Sequence, residues 1–248
     1  MGEWVVHEVD PALAVVVERG LPALGAVLEA EVEALWTAAR ARLGGALFNG
    51  RVFSADRIAR DRVAGHFTEF RRIVAQVARP ELFAELALRP LAVNGVVRVR
   101  DGILIGRRSL KTAYQAGKWQ LPPAGSVDPG AADAGGNIDL AVQLLKELRE
   151  EVGITATRTA LGAPICIVEH PGSNVLDIGI PVSVPLDGAA ALALHARLGD
   201  GEYEPMRVVA EADFSALLAE LGDTVVPPTA IFLSRLGVIG AAAGARHH

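Results

Sequence analysis

The sequence predicts an α/β protein in two parts: a smaller α+β extension over residues 1–90 and a larger α/β unit over 91–238, with a flexible tail over 239–248. Three observations carry this. Aliphatic, β-branched runs at 92–98 and 103–108 flank Asp101-Gly102, as two strands joined by a tight turn would. Leu140, Leu144, Leu148 and Val152 recur every fourth residue, which makes one face of a helix apolar. Hydrophobic residues make up 51% of the chain and aromatic ones only 5%, so Ala, Val and Leu must fill the core.

In chain order, a strand is expected at 4–9 or 14–18, then a helix from about 22 to 43 with Leu24, Leu28, Val32 and Leu35 on one stripe. Asn49-Gly50 reads as a turn before Arg51-Val52-Phe53, a hairpin element. From 57 to about 77 charged and apolar residues mix, with Phe67, Phe70 and Ile73 spaced for packing. A boundary falls near Arg89-Pro90. Beyond the strand pair come a loop at Trp119, the helix through Leu148, strands at 163–169 and 176–184, and a closing helix over 228–236. Cys166, in an apolar run, reads as a buried strand residue.

The helix is also where chemistry concentrates. Glu147, Glu150 and Glu151 lie at the i, i+3, i+4 spacing of one helical face, opposite the leucine stripe. Like charges so placed repel unless a cation sits among them. Carboxylates one turn apart suit Mg²⁺ or Mn²⁺, which take oxygen ligands without a dedicated cage. Acidic faces on helices also simply meet solvent, and spacing alone leaves both readings open. Gly153 follows the last apolar position, where a helix ends in the left-handed conformation.

The segment Lys146-Glu147-Leu148-Arg149-Glu150-Glu151-Val152-Gly153-Ile154 resembles the helical half of the Nudix box, Arg-Glu-aliphatic-x-Glu-Glu-x-Gly-aliphatic, with Lys146 in the first place. Upstream, Trp119-Gln120-Leu121-Pro122-Pro123-Ala124-Gly125 is similar to the family's lead-in, with Ala124 for one Gly. Two departures stand out. Ile138, beside Asp139, holds the place of the glutamate that opens the family's helix, and the loop after Gly125 is longer than usual by roughly seven residues. Asn137 or Asp139 is the candidate cap of the helix.

The resemblance implies a Nudix α/β/α sandwich with a mixed sheet, and hydrolysis of a P–O–P bond in a nucleoside diphosphate linked to another moiety. Mg²⁺ or Mn²⁺ on Glu147, Glu150 and Glu151 would neutralise phosphate charge and lower the pKa of a water for attack at phosphorus. It further implies a backbone carbonyl ligand at Ala124 or Gly125, and a glutamate from a later loop as ligand or base, for which Glu202 and Glu204 are candidates. Arg107 and Arg108 end a strand that lies near substrate in the family, so one of them would clamp a phosphate while alternation turns the other to solvent. Lys146 is counted with them as substrate-binding. Trp119 is expected to pack the loop against the sheet, and His170, with Asp177, to border the leaving group without acting as a base.

The extension, with its run at 47–53 continuing through 66–71, looks like the layout of Nudix enzymes that cleave UDP-glucose to UMP and glucose 1-phosphate. ADP-ribose or a coenzyme A derivative as substrate stays open, as does a Nudix-fold sensor that binds a nucleotide sugar without cleaving it. Homodimers are common in the family, which leaves that assembly open too.

Composition narrows the class. A net charge of −5 lacks the cationic surplus that nucleic-acid backbones require. Mean hydropathy is +0.32, yet apolar runs such as 12–17 fall far short of the ~20 residues of a membrane span. Met1-Gly2-Glu3-Trp4 shows no secretory start, and Val6 argues against myristoylation at Gly2. One cysteine excludes a disulfide framework and fits a cytoplasmic protein. His247-His248 reads as the start of an expression tag.

Overall fold

The computed structural model describes residues 4–42, 45, 47–112, 114–240 and 245–247. The expectations placed on Met1–Glu3, on Leu43 and on 241–244 and 248 lie outside them.

The extension contains β1 (Trp4–His7), β2 (Ala14–Val17), α1 (Ala26–Arg42), β3 (Arg51–Ile58), β4 (Arg62–Glu69), α2 (Phe70–Ala78) and a single turn, α3 (Phe83–Leu86). There follow β5 (Leu91–Val99), β6 (Gly102–Arg108), β7 (Trp119–Gln120), β8 (Ala124–Ser126) and β9 (Asn137–Ile138). Next is α4 (Leu140–Glu147), which continues as a π-helical turn over Leu148–Val152. The rest is β10 (Ala160–Leu161), β11 (Ile167–Glu169), β12 (Leu176–Ser183), α5 (Gly188–Leu198), β13 (Tyr203–Val209), α6 (Phe214–Leu221), α7 (Pro227–Arg235) and β14 (Ala245–His247).

Two mixed sheets result. The larger runs β13-β6-β5-β12-β11-β1-β14, with β7, β8 and β10 paired alongside. In it β5 and β12 are parallel, as are β1 and β14, while the hairpin β5–β6 is antiparallel. Alternation along β5 sends Val93 and Val97 into one core with Leu144, Leu148 and Val152, and Val96 into another with Phe214, Phe232 and Leu233. Helices therefore cover both faces, giving the expected α/β class. The smaller sheet runs β3-β4-β2-β9, and α1 and α2 close its outer side over Val32, Val52 and Ile73.

Several expectations change. The strands expected as alternatives at the start both form, but in different sheets. Arg51-Val52-Phe53 does start a hairpin, β3–β4, whose connection lies at 59–61; ahead of it Asn49 forms no turn, and its Oδ1 accepts from the Arg71 N–H at 2.9 Å at the start of α2. The mixed segment from 57 resolves into β4 and α2. α5 and α6 went unread, because Ala-rich and short helices carry little periodic signal. Residues 245–247 pair with β1 where a tail from 239 is expected.

The boundary near residue 90 is crossed in both directions. β1, from the extension, pairs antiparallel with β11, and β9, from the box loop, pairs antiparallel with β2. Val9, Val15, Phe53 and Val63 share one core with Leu91, Val93, Val127 and Ile138, and the Phe53 N–H donates to the Val127 carbonyl at 2.8 Å. No helix of the described residues is long and apolar enough to cross a membrane.

Candidate active site

Asp139, not Asn137, caps α4: its Oδ1 accepts from the N–H groups of Ala141 and Val142 at 2.8 and 3.3 Å. Leu144 and Leu148 are fully buried, which fixes the rotation of the helix. The π turn then carries Glu150 and Glu151, but not Glu147, past the phase of a regular helix, as such turns often do at functional sites. Gly153 ends it at φ 78°, and a Cβ there would stand 2.8 Å from Leu198 Cβ on α5.

Two of the three acids converge on the start of β8, at Ala124 and Gly125. Glu151, 2% exposed, accepts the Ala124 N–H at Oε2 over 2.9 Å. Glu147 lies directly over Gly125, where a Cβ would come within 2.3 Å of its Cδ, and it also accepts from Gln143 Nε2. Only glycine permits that approach. Glu202, the residue ahead of β13, joins these acids, its Oε1 pairing with Arg108 Nη2 at 2.9 Å. His195 on α5 ties these parts together, one ring nitrogen 2.9 Å from the Glu151 carbonyl oxygen and the other 3.0 Å from that of Tyr203.

Electrostatics follow from the crowding. Burial pushes Glu147 up to about 7, with Glu150 and Glu202 adding to the rise against Lys146 and Gln143. Burial, then the Glu202 charge, raises Glu151 well above the carboxylate range, and burial raises Glu202 despite Arg108. Ionising all three desolvated acids together is costly, and a further cation among them would offset that cost. Their donor set, carboxylate oxygens alone, is the kind that hard divalent ions take. Among the described residues no three His, Cys, Asp or Glu side chains form a ready-made metal group, and each of these acids is held by a donor of the chain itself.

The remaining expected residues divide. Glu150 pairs with Arg149 at 3.0 Å at the half-exposed rim, so the expected three-acid face becomes two inward acids and one marginal one. Glu204 is exposed, and Glu202 takes the inner place. Arg107 is exposed and donates to the Gly117 carbonyl at 3.0 Å, whereas Arg108 points inward. Lys146, expected at the substrate, is held by Asp128 Oδ2 at 2.6 Å and lies 3.9 Å from Glu147. Trp119 is buried under the Arg207 guanidinium, 4.7 Å from the ring centroid. Cys166 is buried, and burial pushes its thiol up to about 12.

Of the polar floor of the site, sequence reasoning named Arg108 and Asp177 but missed the Asn94 and Gln120 amides that join them. Arg108 Nη1 reaches Gln120 Oε1 at 3.3 Å, Gln120 Nε2 donates to Asn94 Oδ1 at 2.8 Å, and Asn94 Nδ2 donates to Asp177 Oδ1 at 2.8 Å. A polar residue in the apolar run of β5 was the available signal for Asn94. A cavity of about 670 Å³ lies at the other end of α4, lined mostly by apolar groups including Leu13, Ile138, Leu161 and Ile180.

No family model matches the chain, and no curated protein matches it. Among solved structures it is similar to a MutT protein from Methanosarcina mazei Go1, at 22% identity over 60% of this chain and 92% of that one, TM-score 0.41. It is also similar to the Nudix hydrolase RenU from M. smegmatis, at 17% identity over 60% and 84%, TM-score 0.41. A third likeness is to an Ap4A hydrolase from C. elegans, at 19% identity over 54% and 91%, TM-score 0.31.

Proposed function

We propose that the chain is a Nudix-type hydrolase that cleaves the P–O–P bond of a nucleoside diphosphate linked to a second moiety, with UDP-glucose the first candidate and ADP-ribose or a coenzyme A derivative the alternatives. The observation that carries this is the convergence of Glu147, Glu151 and Glu202 in a desolvated cluster against the Ala124-Gly125 backbone. Glu147 and Glu151 would hold Mg²⁺ or Mn²⁺, with Glu150 and the Ala124 or Gly125 carbonyl as further ligands and Glu202 beside them. When bound, the ion supplies charge neutralisation at the diphosphate and a more acidic water.

The chain's own residues do the rest. Arg108, held among Glu202, Gln120 and the Tyr114 carbonyl, presents a fixed guanidinium to a phosphate oxygen. Glu202 has Oε1 committed to Arg108, which leaves Oε2 to take the proton of the attacking water. The leucine stripe keeps α4 from turning, and His195 fixes the spacing between the π turn and β13.

The test is phosphate release, after phosphatase treatment, from UDP-glucose, ADP-ribose, coenzyme A and NADH with Mg²⁺ or Mn²⁺, beside Glu151→Gln. Metal-dependent turnover lost in the variant is expected. A silent panel with tight binding of one member would replace this reading with a nucleotide-sugar sensor.

A further inference from the structure

The larger sheet holds a buried carboxylate that the proposed reaction does not use. Asp177 on β12 is 9% exposed. Its Oδ1 accepts from Asn94 at 2.8 Å, while Oδ2 accepts no hydrogen bond from any described residue. A carboxylate this deep with one donor is held at a cost. Burial pushes it up to about 6 even with Asn94 and Arg108 pulling it down.

Aromatic groups stand beside it. Tyr114, half-buried, bonds Ser173 Oγ through its hydroxyl at 2.9 Å, and its carbonyl accepts from Arg108 Nε at 3.1 Å. The charges of Asp177 and Arg108 both act on its phenol. The His170 ring meets Tyr114 edge-on at 5.8 Å between centroids and Trp4 at 4.5 Å. An unbroken polar chain links this place to the acid cluster, from Asp177 through Asn94, Gln120 and Arg108 to Glu202.

We propose that Asp177 reads the base of the substrate, its free Oδ2 accepting the ring N–H of a lactam base, uracil or guanine, laid against Tyr114. This rests on the acid cluster being the diphosphate site, since the polar chain then sets the base at one end of the site and the scissile bond at the other. An ionised carboxylate only accepts; aligned on the ring nitrogen, it takes uracil N3–H or guanine N1–H and meets a lone pair at cytosine N3 or adenine N1, whose amino groups lie off that line. One fixed acceptor beside an aromatic ring fits a planar base edge. A sugar would call for several donors and acceptors around its rim. The Asn94 amide, committed to Asp177 and Gln120, holds the carboxylate in one orientation.

Calorimetric binding of UMP, N3-methyl-UMP, GMP, CMP, AMP and glucose 1-phosphate to the full chain tests this without turnover. UMP or GMP should bind about tenfold or more tighter than CMP and AMP, the worth of one hydrogen bond to a charged group, and N3-methylation of UMP should abolish its advantage. Asp177→Asn keeps an oxygen for Asn94 and turns a donor to the ligand, so the preference should vanish or invert while glucose 1-phosphate binding stays unchanged. The wild-type comparison of UMP with N3-methyl-UMP needs no variant to fold. Equal binding of all bases, no binding of any monophosphate, or an Asp177→Asn loss shared by glucose 1-phosphate would overturn the assignment. Base preference without metal-dependent hydrolysis would remove the hydrolase reading and keep this one; hydrolysis without base preference would do the reverse.

Discussion

Replacing Glu147 by Gln removes a charge at constant volume and leaves an oxygen to accept from Gln143. In the metal-free protein, burial moves this carboxyl from the ordinary 4.5 to about 7. At about 1.36 kcal/mol for each tenfold change in proton affinity, ionising it costs roughly 3 kcal/mol of stability. The side chain is 13% exposed, so solvent screening leaves that order of magnitude standing. Because the folded-state value is raised, the stability is fully present below pH 4.5, declines as pH rises, and is lost once pH passes about 7. Urea unfolding in EDTA at pH 5 and pH 8 reads the difference. Glu147→Gln should exceed the wild type by about 3 kcal/mol at pH 8, with the gap shrinking toward pH 5, and Mg²⁺ should stabilise only the wild type strongly. A variant no more stable than the wild type at pH 8 without metal would refute the argument that the acid cluster is ionised at a cost.

Other changes probe separate links. Gly125→Ala places a methyl 2.3 Å from Glu147 Cδ, so the carboxylate must shift by about 1 Å; kcat/KM should fall about 100-fold while thermal unfolding changes by only about 1–3 kcal/mol. Retained activity would mean that the Glu147 position does not matter. Ile138→Glu restores the residue type usual in the Nudix box, yet Ile138 is 7% exposed and pairs with Val15, so denaturant titration should show a loss of about 2 kcal/mol or more. An unchanged midpoint would contradict the pairing of β9 with β2. Arg108→Lys keeps the charge but loses the fork that spans Tyr114, Gln120 and Glu202; kcat/KM should drop about tenfold or more, and unchanged kinetics would remove Arg108 from the site.

The β5–β6 pair was legible because β-branched runs met at a Gly-containing turn, and α4 because four apolar residues kept a helical period through Val152. Spacing put Glu147, Glu150 and Glu151 on one helical face, and only the resemblance to the Nudix box gave that face a metal-binding role. Glu150 was not separable from the other two, since the π turn that rotates it outward depends on packing against α5. Alternation established that Arg107 and Arg108 part ways but not which goes inward; the pairing of β6 with β13, which brings Glu202 to Arg108, decides that. Asn94, Gln120 and Asp177 sit on three strands distant in sequence, and only the parallel pairing of β5 with β12 brings the first and last together. Local pattern carries no information about such contacts.

The places where the chain differs from the Nudix box it resembles share one physical cause. The loop after Gly125 leaves the larger sheet, reaches the smaller one and returns to start α4. On arrival β9 pairs with β2, and strand alternation then leaves Asn137 exposed and Ile138 buried against the shared core. A glutamate in the place of Ile138 would be buried in that core, which accounts for its absence. Asp139, the next residue, caps the helix, so the start of α4 is set by the pairing with the extension. Lys146 fits the same arrangement, its ammonium reaching back to Asp128 in the lengthened loop. The extension and the acidic helix are therefore mechanically one unit. Changes on β2 should be felt at Glu147 and Glu151 through the register of β9, one strand and two helical turns away.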